Sequence, residues 1–435
     1  MKRILFFILL AVYFSLPAKV TLSQAIIQSW KISPGLDSQR LEEVSAATAR
    51  LTALRQKYFS VHFSGSARAS SDKVEVKISD FPFPLGANVS PGTIVLAAPG
   101  TTIDLKMSLV QPLYSGGLLS NAVKLETIRA ASEKELTRLK KIELAGKVKF
   151  CFFNYLLLSR KRDSLNFFLS SLDLHLKKVE NLYGEDLVKR SDLLETRAKA
   201  DEIRLSLLDL EQLIAAEAVH FHSLSGCDAR DIEFQPAAKH GTFAAAREQF
   251  LAGHPLLRSL EEKSRSIQVQ KRSVAAALLP QVSAFAEMHY GRPGQNFFVD
   301  RWTFYVQGGL SVSMPVFNWN KSGRDRELLD IAARKLENQR ADFIRESEKN
   351  LRQMFLHKES LEKKLVLLDG LVANAAEDVS LKEKLYEENQ IDHTDLLAAM
   401  TSREKYAADR EELLARMEML QANVDVLIGK IEEER

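Results

Sequence analysis

Ser191-Asp192-Leu193-Leu194 returns 203 positions later as Thr394-Asp395-Leu396-Leu397, and the organisation of the chain follows from that return. Working outward at the same offset, Leu182-Tyr183 meets Leu385-Tyr386 and Ser225-Gly226 meets Ile428-Gly429. Upstream, Gln111-Pro112-Leu113-Tyr114 meets Met314-Pro315-Val316-Phe317. Further back the offset becomes 221, where Ser33-Pro34-Gly35-Leu36 faces His254-Pro255-Leu256-Leu257. Duplication at so long a period makes each repeat a unit of several strands and helices. The first repeat is expected over 19–236 and the second over 237–435, with the longer strand-to-strand loop in the first.

A change of hydrophobic period marks the strands. Phe59, Val61, Phe63, Gly65 and Ala67 alternate with Ser60, His62, Ser64, Ser66 and Arg68. This is period two, with one oily face and one polar face. It predicts a strand over about 59–68, with 74–78 extending it. Leu105, Met107, Leu109 and Leu113 alternate with Asp104, Lys106 and Ser108 in a second strand, about 104–114. Ser70 to Gly100, rich in Pro, Gly, Ser and Asp, reads as the loop between them. In the second repeat, strands are predicted over about 281–290 and 302–314, joined by the Gly/Pro/Asn loop from Tyr290 to Asp300. Short helices are expected at Ser23–Lys31 and Leu36–Lys57, and Ala237–His254 reads as a linker with one short helix.

The rest reads as long helices, over about 117–185, 191–226, 322–388 and 394–430. Leu165, Leu169, Leu172, Leu176, Val179 and Leu182 follow the alternating three-and-four spacing of a coiled-coil seam. Ile203, Leu207, Leu210 and Ile214 do the same in the next helix, as do Leu361, Leu365, Leu368 and Val372, and then Leu413, Met417, Leu420, Val424 and Leu427. The first helix would be about 100 Å long at 1.5 Å per residue. Such a helix cannot fold back on a compact core, and neighbouring helical pairs in a bundle or tube would bury its seams. A rod-like coiled coil without a lumen is the alternative.

Composition narrows the function classes. Lys2-Arg3 precede the uncharged run Ile4–Leu16, and Leu16-Pro17-Ala18 ends it, so residues 1–18 are expected to be a signal peptide. A retained anchor is the alternative. The 435 residues carry a formal charge of +3, which leaves no footprint for nucleic acid. Cys151 and Cys227 are the only cysteines, too few for a disulfide scaffold or a cysteine-built zinc site. The nine histidines show no HExxH or His/Cys spacing, and no phosphate-binding glycine loop follows a strand. The chain is expected not to be an enzyme and to need no cofactor or metal.

Strands of about 10 residues can cross a bilayer at a tilt. In lipid a sheet must close, because an open edge leaves backbone groups unpaired. Barrels of this class start at eight strands, so four would be one share of a barrel built by several copies. Phe59, Tyr114, Tyr290, Trp302 and Phe317 stand at strand ends, as a membrane–water aromatic girdle would require. A soluble sheet packed on its own helices is the competing reading.

The pattern resembles the TolC-type outer membrane factors. The resemblance is carried by the opening Val20-Thr21-Leu22-Ser23-Gln24-Ala25-Ile26 and by the strand exits Gln111–Gly117 and Met314–Phe317. It is carried too by the two helical turns, which the family writes roughly as Tyr-x-x-Gly-Leu-Val-x-x-x-Asp-Leu-Leu. It implies a mixed fold, a membrane β-barrel plus a long α-helical barrel, assembled as a homotrimer with twelve strands and twelve helices. It implies a passive exit duct in the bacterial outer membrane, extending into the periplasm, for a tripartite efflux pump or type I secretion system. Its partners would be outer membrane lipid, a periplasmic adaptor (membrane fusion) protein and an inner-membrane transporter. The alternative function is a non-conducting periplasmic coiled-coil structural or adaptor protein.

The resemblance also assigns residues. The turns would form the periplasmic tip that docks the adaptor, with Tyr183, Asp186 and Leu187 in the first and Tyr386, Asn389 and Ile391 in the second. Asp186 and Asn389 stand where the family has glycine, and both types tolerate a left-handed backbone. Relatives carry two acidic residues three positions apart at the closed entrance. In the second repeat the first of these matches Asp395 and the second falls on Ala398, whereas Asp192 and Glu195 keep the spacing in the first repeat. Asp192, Glu195 and Asp395 are therefore the candidate entrance residues, and for the two aspartates an N-cap role is an alternative that does not exclude the first.

Overall fold

The computed structural model describes residues 20–71, 75–78, 94–97, 100–233, 241–296, 298–388 and 390–430. The expected signal peptide, most of the long loop and Asn389 lie outside the described residues. In chain order the elements are β1 (Val20–Thr21), α1 (Leu22–Ile32), α2 (Pro34–Arg55), β2 (Ser60–Ala69), β3 (Glu75–Ile78), β4 (Ile94–Ala97) and β5 (Thr101–Tyr114). Next come α3 (Leu118–Gly184), α4 (Arg190–Ser225), a short 3₁₀ turn, β6 (Ile232–Glu233), α5 (Phe243–Gly253) and α6 (Pro255–Ala276). The chain ends with β7 (Gln281–Arg292), β8 (Thr303–Ser313), α7 (Lys321–Glu387) and α8 (His393–Leu427). Among the described residues no helix is long and apolar enough to cross a membrane.

Local chemistry sets the boundaries. The Thr21 hydroxyl accepts from the Gln24 N–H, and the Gln24 side chain accepts from the Thr21 N–H, a reciprocal cap that starts α1. Pro34 opens α2, where its missing N–H costs nothing. Gly226 and Gly429, related by the 203-residue offset, end α4 and α8 in left-handed conformations with φ of 70° and 74°.

The chain divides into two units. One comprises residues 43–132 and 260–337. Its centre is an antiparallel sheet of order β2-β5-β7-β8, with both outer edges unpaired among the described residues. The register stacks residues in rows across the four strands. Phe63, Met107, Met288 and Val306 form one row, and Val61, Leu109, Ala286 and Gly308 the next on the same face. Ser64, Lys106, His289 and Tyr305 form a row on the opposite face, followed by His62, Ser108, Glu287 and Gln307. The strands are longer than expected at β5 and β7, because pairing between them carries both past the alternating segments. Residues 75–78 do not extend β2: they pair with β4 in a small hairpin of their own.

The other unit comprises residues 20–42, 133–259 and 338–430 of the described chain. Parts of α3, α4, α7 and α8 pack side by side around four apolar clusters, one of them built with α1 and another with α5 and α6. Ion pairs tie the helices laterally: Arg160–Glu411 (3.1 Å) and Lys161–Glu412 (2.7 Å) join α3 to α8, and Arg204–Asp173 (2.8 Å) joins α4 to α3. Glu404, buried against the Ser164 hydroxyl, has its carboxyl pushed up by desolvation. The buried seam of α3 differs from the leucine reading. Phe168, Leu172, His175 and Val179 are the buried positions, while Leu165, Leu169 and Leu176 are half-buried. β1 and β6 pair in parallel over two residues, too short a match for any sequence pattern to register.

Candidate functional site

The sheet presents two faces of opposite character. Phe63 is 71 % exposed, Val306 61 % and Leu310 68 %, and Val61, Phe304 and Val312 are exposed with them. A four-strand band of large apolar side chains therefore faces outward, with no described residue of this chain over it. The other face is cross-linked by polar groups: the Lys106 ammonium lies 3.1 Å from Glu287, the Gln307 amide donates to Glu287 at 2.7 Å, and His289 lies 3.1 Å from Asp104. The His289 and Tyr305 rings stack at 4.7 Å. Burial normally inverts this arrangement, with the apolar face covered and the polar face wet.

All five expected girdle aromatics are exposed at the rims of the sheet. Phe59, Tyr114 and Phe317 stand by one end of the strands, and Tyr290 and Trp302 stand by the other, where their rings stack at 5.1 Å.

At the helical turns the two repeats share one backbone design. The Leu187 N–H donates to the Leu182 carbonyl at 2.9 Å, and its counterpart, the Gln390 N–H, donates to the Leu385 carbonyl at 2.8 Å. These bonds close the ends of α3 and α7 as six-to-one caps. Asp186 takes the left-handed position with φ of 52°, as its place in the turn demands. Tyr183 and Leu187 are exposed, Ile391 is half-buried, and Tyr386 is buried.

The candidate entrance acids sit one turn inside their helices. Asp192 and Asp395 are the third residues of α4 and α8, so neither is the N-cap; those positions belong to Lys189 and Asp392. Asp192 still caps, from the third position: its carboxylate accepts from the Lys189 backbone N–H at 3.3 Å and from the Ser191 hydroxyl at 3.0 Å. Glu195 and Asp395 are exposed. Asp192 and Glu195 both act electrostatically on His393 of the second repeat, so the first-repeat acids and the start of α8 are neighbours.

That neighbourhood contains a group the sequence reading missed. His175 of α3 and His393 of α8 are both buried, their rings stacked at 4.9 Å and 4°. Their nitrogens Nε2 and Nδ1 are 3.1 Å apart, and His393 Nε2 lies 2.8 Å from the Thr196 hydroxyl of α4. The Tyr386 ring of α7 packs against both imidazoles. Burial, then His393 and Lys178, pull His175 down to about 4, and burial lowers His393 despite Asp192 and Glu195. The available signal was positional: His175 occupies a seam spacing with Leu172 and Val179.

Cys151, Glu217 and His220, on α3 and α4, bring their potential donor atoms within 4.8 Å of one another. The contact is explained without an ion. Burial pushes the Cys151 thiol up, so it stays protonated and donates to the Glu217 carbonyl at 3.7 Å. Cys151 and Cys227 are both free thiols.

The family model described as Outer membrane efflux protein matches residues 246–427. No curated protein matches the chain. Among solved structures, the outer membrane protein VceC of Vibrio cholerae is similar at a TM-score of 0.73 and 14% identity, over 94% of this chain and 96% of that one. The CmeC outer membrane channel of Campylobacter jejuni is similar at 0.70 and 12% identity, over 95% and 87% of the two chains. The open state of the MtrE outer membrane channel of Neisseria gonorrhoeae is similar at 0.72 and 11% identity, over 94% and 88%. At these identities the likeness is one of fold.

Proposed function

Since residues 246–427 carry the outer membrane efflux protein signature and the whole chain has the fold of outer membrane channels, we propose that this protein is the passive outer membrane duct of an efflux assembly. An outer membrane location, with extension into the periplasm, is part of this reading, supported by the match to the family model. The observation that carries the duct reading is the sheet: two unpaired edges, an exposed apolar face and a polar-linked opposite face. In lipid each unpaired backbone group costs several kcal/mol, so such a sheet must close. Three copies would supply twelve strands for one barrel. The apolar rows would then meet lipid, the aromatic rims would sit at the two interfaces, and the Lys106–Glu287–Gln307 network would line a water-filled lumen.

In this reading the long helices lie in the periplasm. Tyr183, Asp186 and Leu187, with Tyr386, Asn389 and Ile391, would form the tip that docks an adaptor protein, which in turn engages an inner-membrane transporter of a tripartite pump or type I secretion system. Asp192, Glu195 and Asp395 would stand in threefold sets at the entrance. No step of chemistry is assigned to the chain, because a duct uses energy supplied by its partner.

Two measurements test this together. Native mass spectrometry in mild detergent should give three chains, and the same preparation should give single-channel conductance in planar bilayers. A folded monomer without conductance would instead identify a periplasmic coiled-coil structural protein.

A further inference from the structure

We propose that the chain of hydrogen bonds His175–His393–Thr196 is a proton-sensitive latch, which holds the turn-proximal ends of α3, α4, α7 and α8 together at neutral pH and releases them in acid. The latch is a property of the fold. That its release would loosen the duct entrance rests on the reading above.

The geometry fixes the protons. The Thr196 hydroxyl donates to the Asp192 carbonyl at 2.7 Å, so toward His393 it can only accept. His393 must therefore carry its proton on Nε2, which leaves Nδ1 as an acceptor. His175 then donates from Nε2 to His393 Nδ1 across 3.1 Å. The chain runs in one direction through two neutral imidazoles, from α3 through α8 of the second repeat and back to α4 of the first. The Tyr386 ring, with centroids 5.7 Å and 6.0 Å from the two imidazoles, closes the α7 side.

Adding protons to this arrangement has a defined effect. One proton can be absorbed at His175 Nδ1 with the His175–His393 bond kept, or by reversing that bond, in either case at the expense of a buried charge. A second sets N–H against N–H and stacks two imidazolium rings at 4.9 Å. The charged neighbours come from every packed element. Lys178 on α3 disfavours protonation of His175, and Asp192 and Glu195 on α4 favour that of His393. On α7, Glu387 is ion-paired with Lys178 at 2.9 Å, Glu383 lines the same groove, and Tyr386 is neutral, its phenol held above its usual value chiefly by burial. On α8, Asp395 is exposed. Desolvation outweighs the acids, so both imidazoles stay neutral below their ordinary value of 6.5, His175 down to about 4. With the latched pKa below the free one, the released state binds more protons in this interval. The latch therefore has its full strength above 6.5 and loses it as pH falls through about 4.

Hydrogen–deuterium exchange of the intact protein, corrected for the intrinsic pH dependence of exchange, tests this. Acidification from about pH 7.5 to about pH 4 should lower protection near Leu172–Tyr183 and His393–Met400 at least tenfold more than along 133–160 of α3. In the His175→Gln/His393→Gln double variant that local, acid-dependent loss should vanish. His254 is also held at about 4 by burial and remains in both proteins, so its ionisation cancels in the comparison. Should the double variant lose helix content, His393→Gln alone, which keeps a donor for Thr196, takes its place. Unchanged protection in the wild type, or equal loss in the variant, would overturn the latch. Acid release without conductance at any pH would keep the latch and reject the duct.

Discussion

The two strand-to-helix turns follow one backbone path with opposite residues. Gly116 and Gly117 have φ of 60° and 95°, and at the 203-residue offset Trp319 and Asn320 have φ of 51° and 53°. Left-handed backbone is where glycine is expected and tryptophan is not. The difference lies in the surroundings. A Cβ at Gly116 would come 2.7 Å from Leu279 Cβ and 2.8 Å from the Ala276 carbonyl oxygen, whereas Trp319 is 76 % exposed and rests on Phe317 at 4.9 Å. The fold dictates the path in both repeats, and packing decides whether a side chain can be carried along it.

The largest effect expected from this comparison is at Gly116. Gly116→Ala combines a left-handed strain of roughly 1–2 kcal/mol with overpacking of roughly 1–3 kcal/mol, so about 2–5 kcal/mol of stability should be lost in chemical denaturation. Trp319→Gly should gain about 1 kcal/mol from relieved strain, less whatever its ring contact with Phe317 contributes. Equal and opposite outcomes at the two sites would mean that strain alone acts at both and that packing does not distinguish the turns.

The helical turns sharpen the comparison with a smaller effect. Asp192 caps α4 by accepting from the Lys189 backbone N–H, while Asp395 at the same place in α8 is exposed. Asp192→Ala should therefore cost about 1 kcal/mol and Asp395→Ala less. If both also line a threefold entrance, each variant should lower cation selectivity in reversal-potential measurements, as acidic rings favour cations. Unchanged selectivity in the double variant would leave capping as the only role.

Much of this was legible in the sequence because two periods dominate it. Alternation in Val61–Phe63 and Val306–Val312 identified the strands and their oily face, and the Tyr-to-Asp-Leu-Leu spacing located both helical turns. What stayed hidden depends on distant partners. The β1–β6 pair is two residues long and joins segments more than 200 positions apart. The left-handed Trp319 and Asn320 carry no glycine signal. His175 carries no leucine signal, although its neutral ring fills a seam position as well as an apolar side chain does. Only contact with His393, 218 residues away, gives it a role.

In the proposed duct the exposed face of the sheet meets lipid and the opposite face meets water. Val306 and Gln307 are adjacent in β8 and lie on opposite faces, beside Met288 and Glu287 respectively. Unfolding free energies of Val306→Lys and Gln307→Lys from bilayers test it directly. Val306→Lys should cost about 2–4 kcal/mol more than Gln307→Lys, which should be nearly silent. Equal costs at the two positions would contradict it.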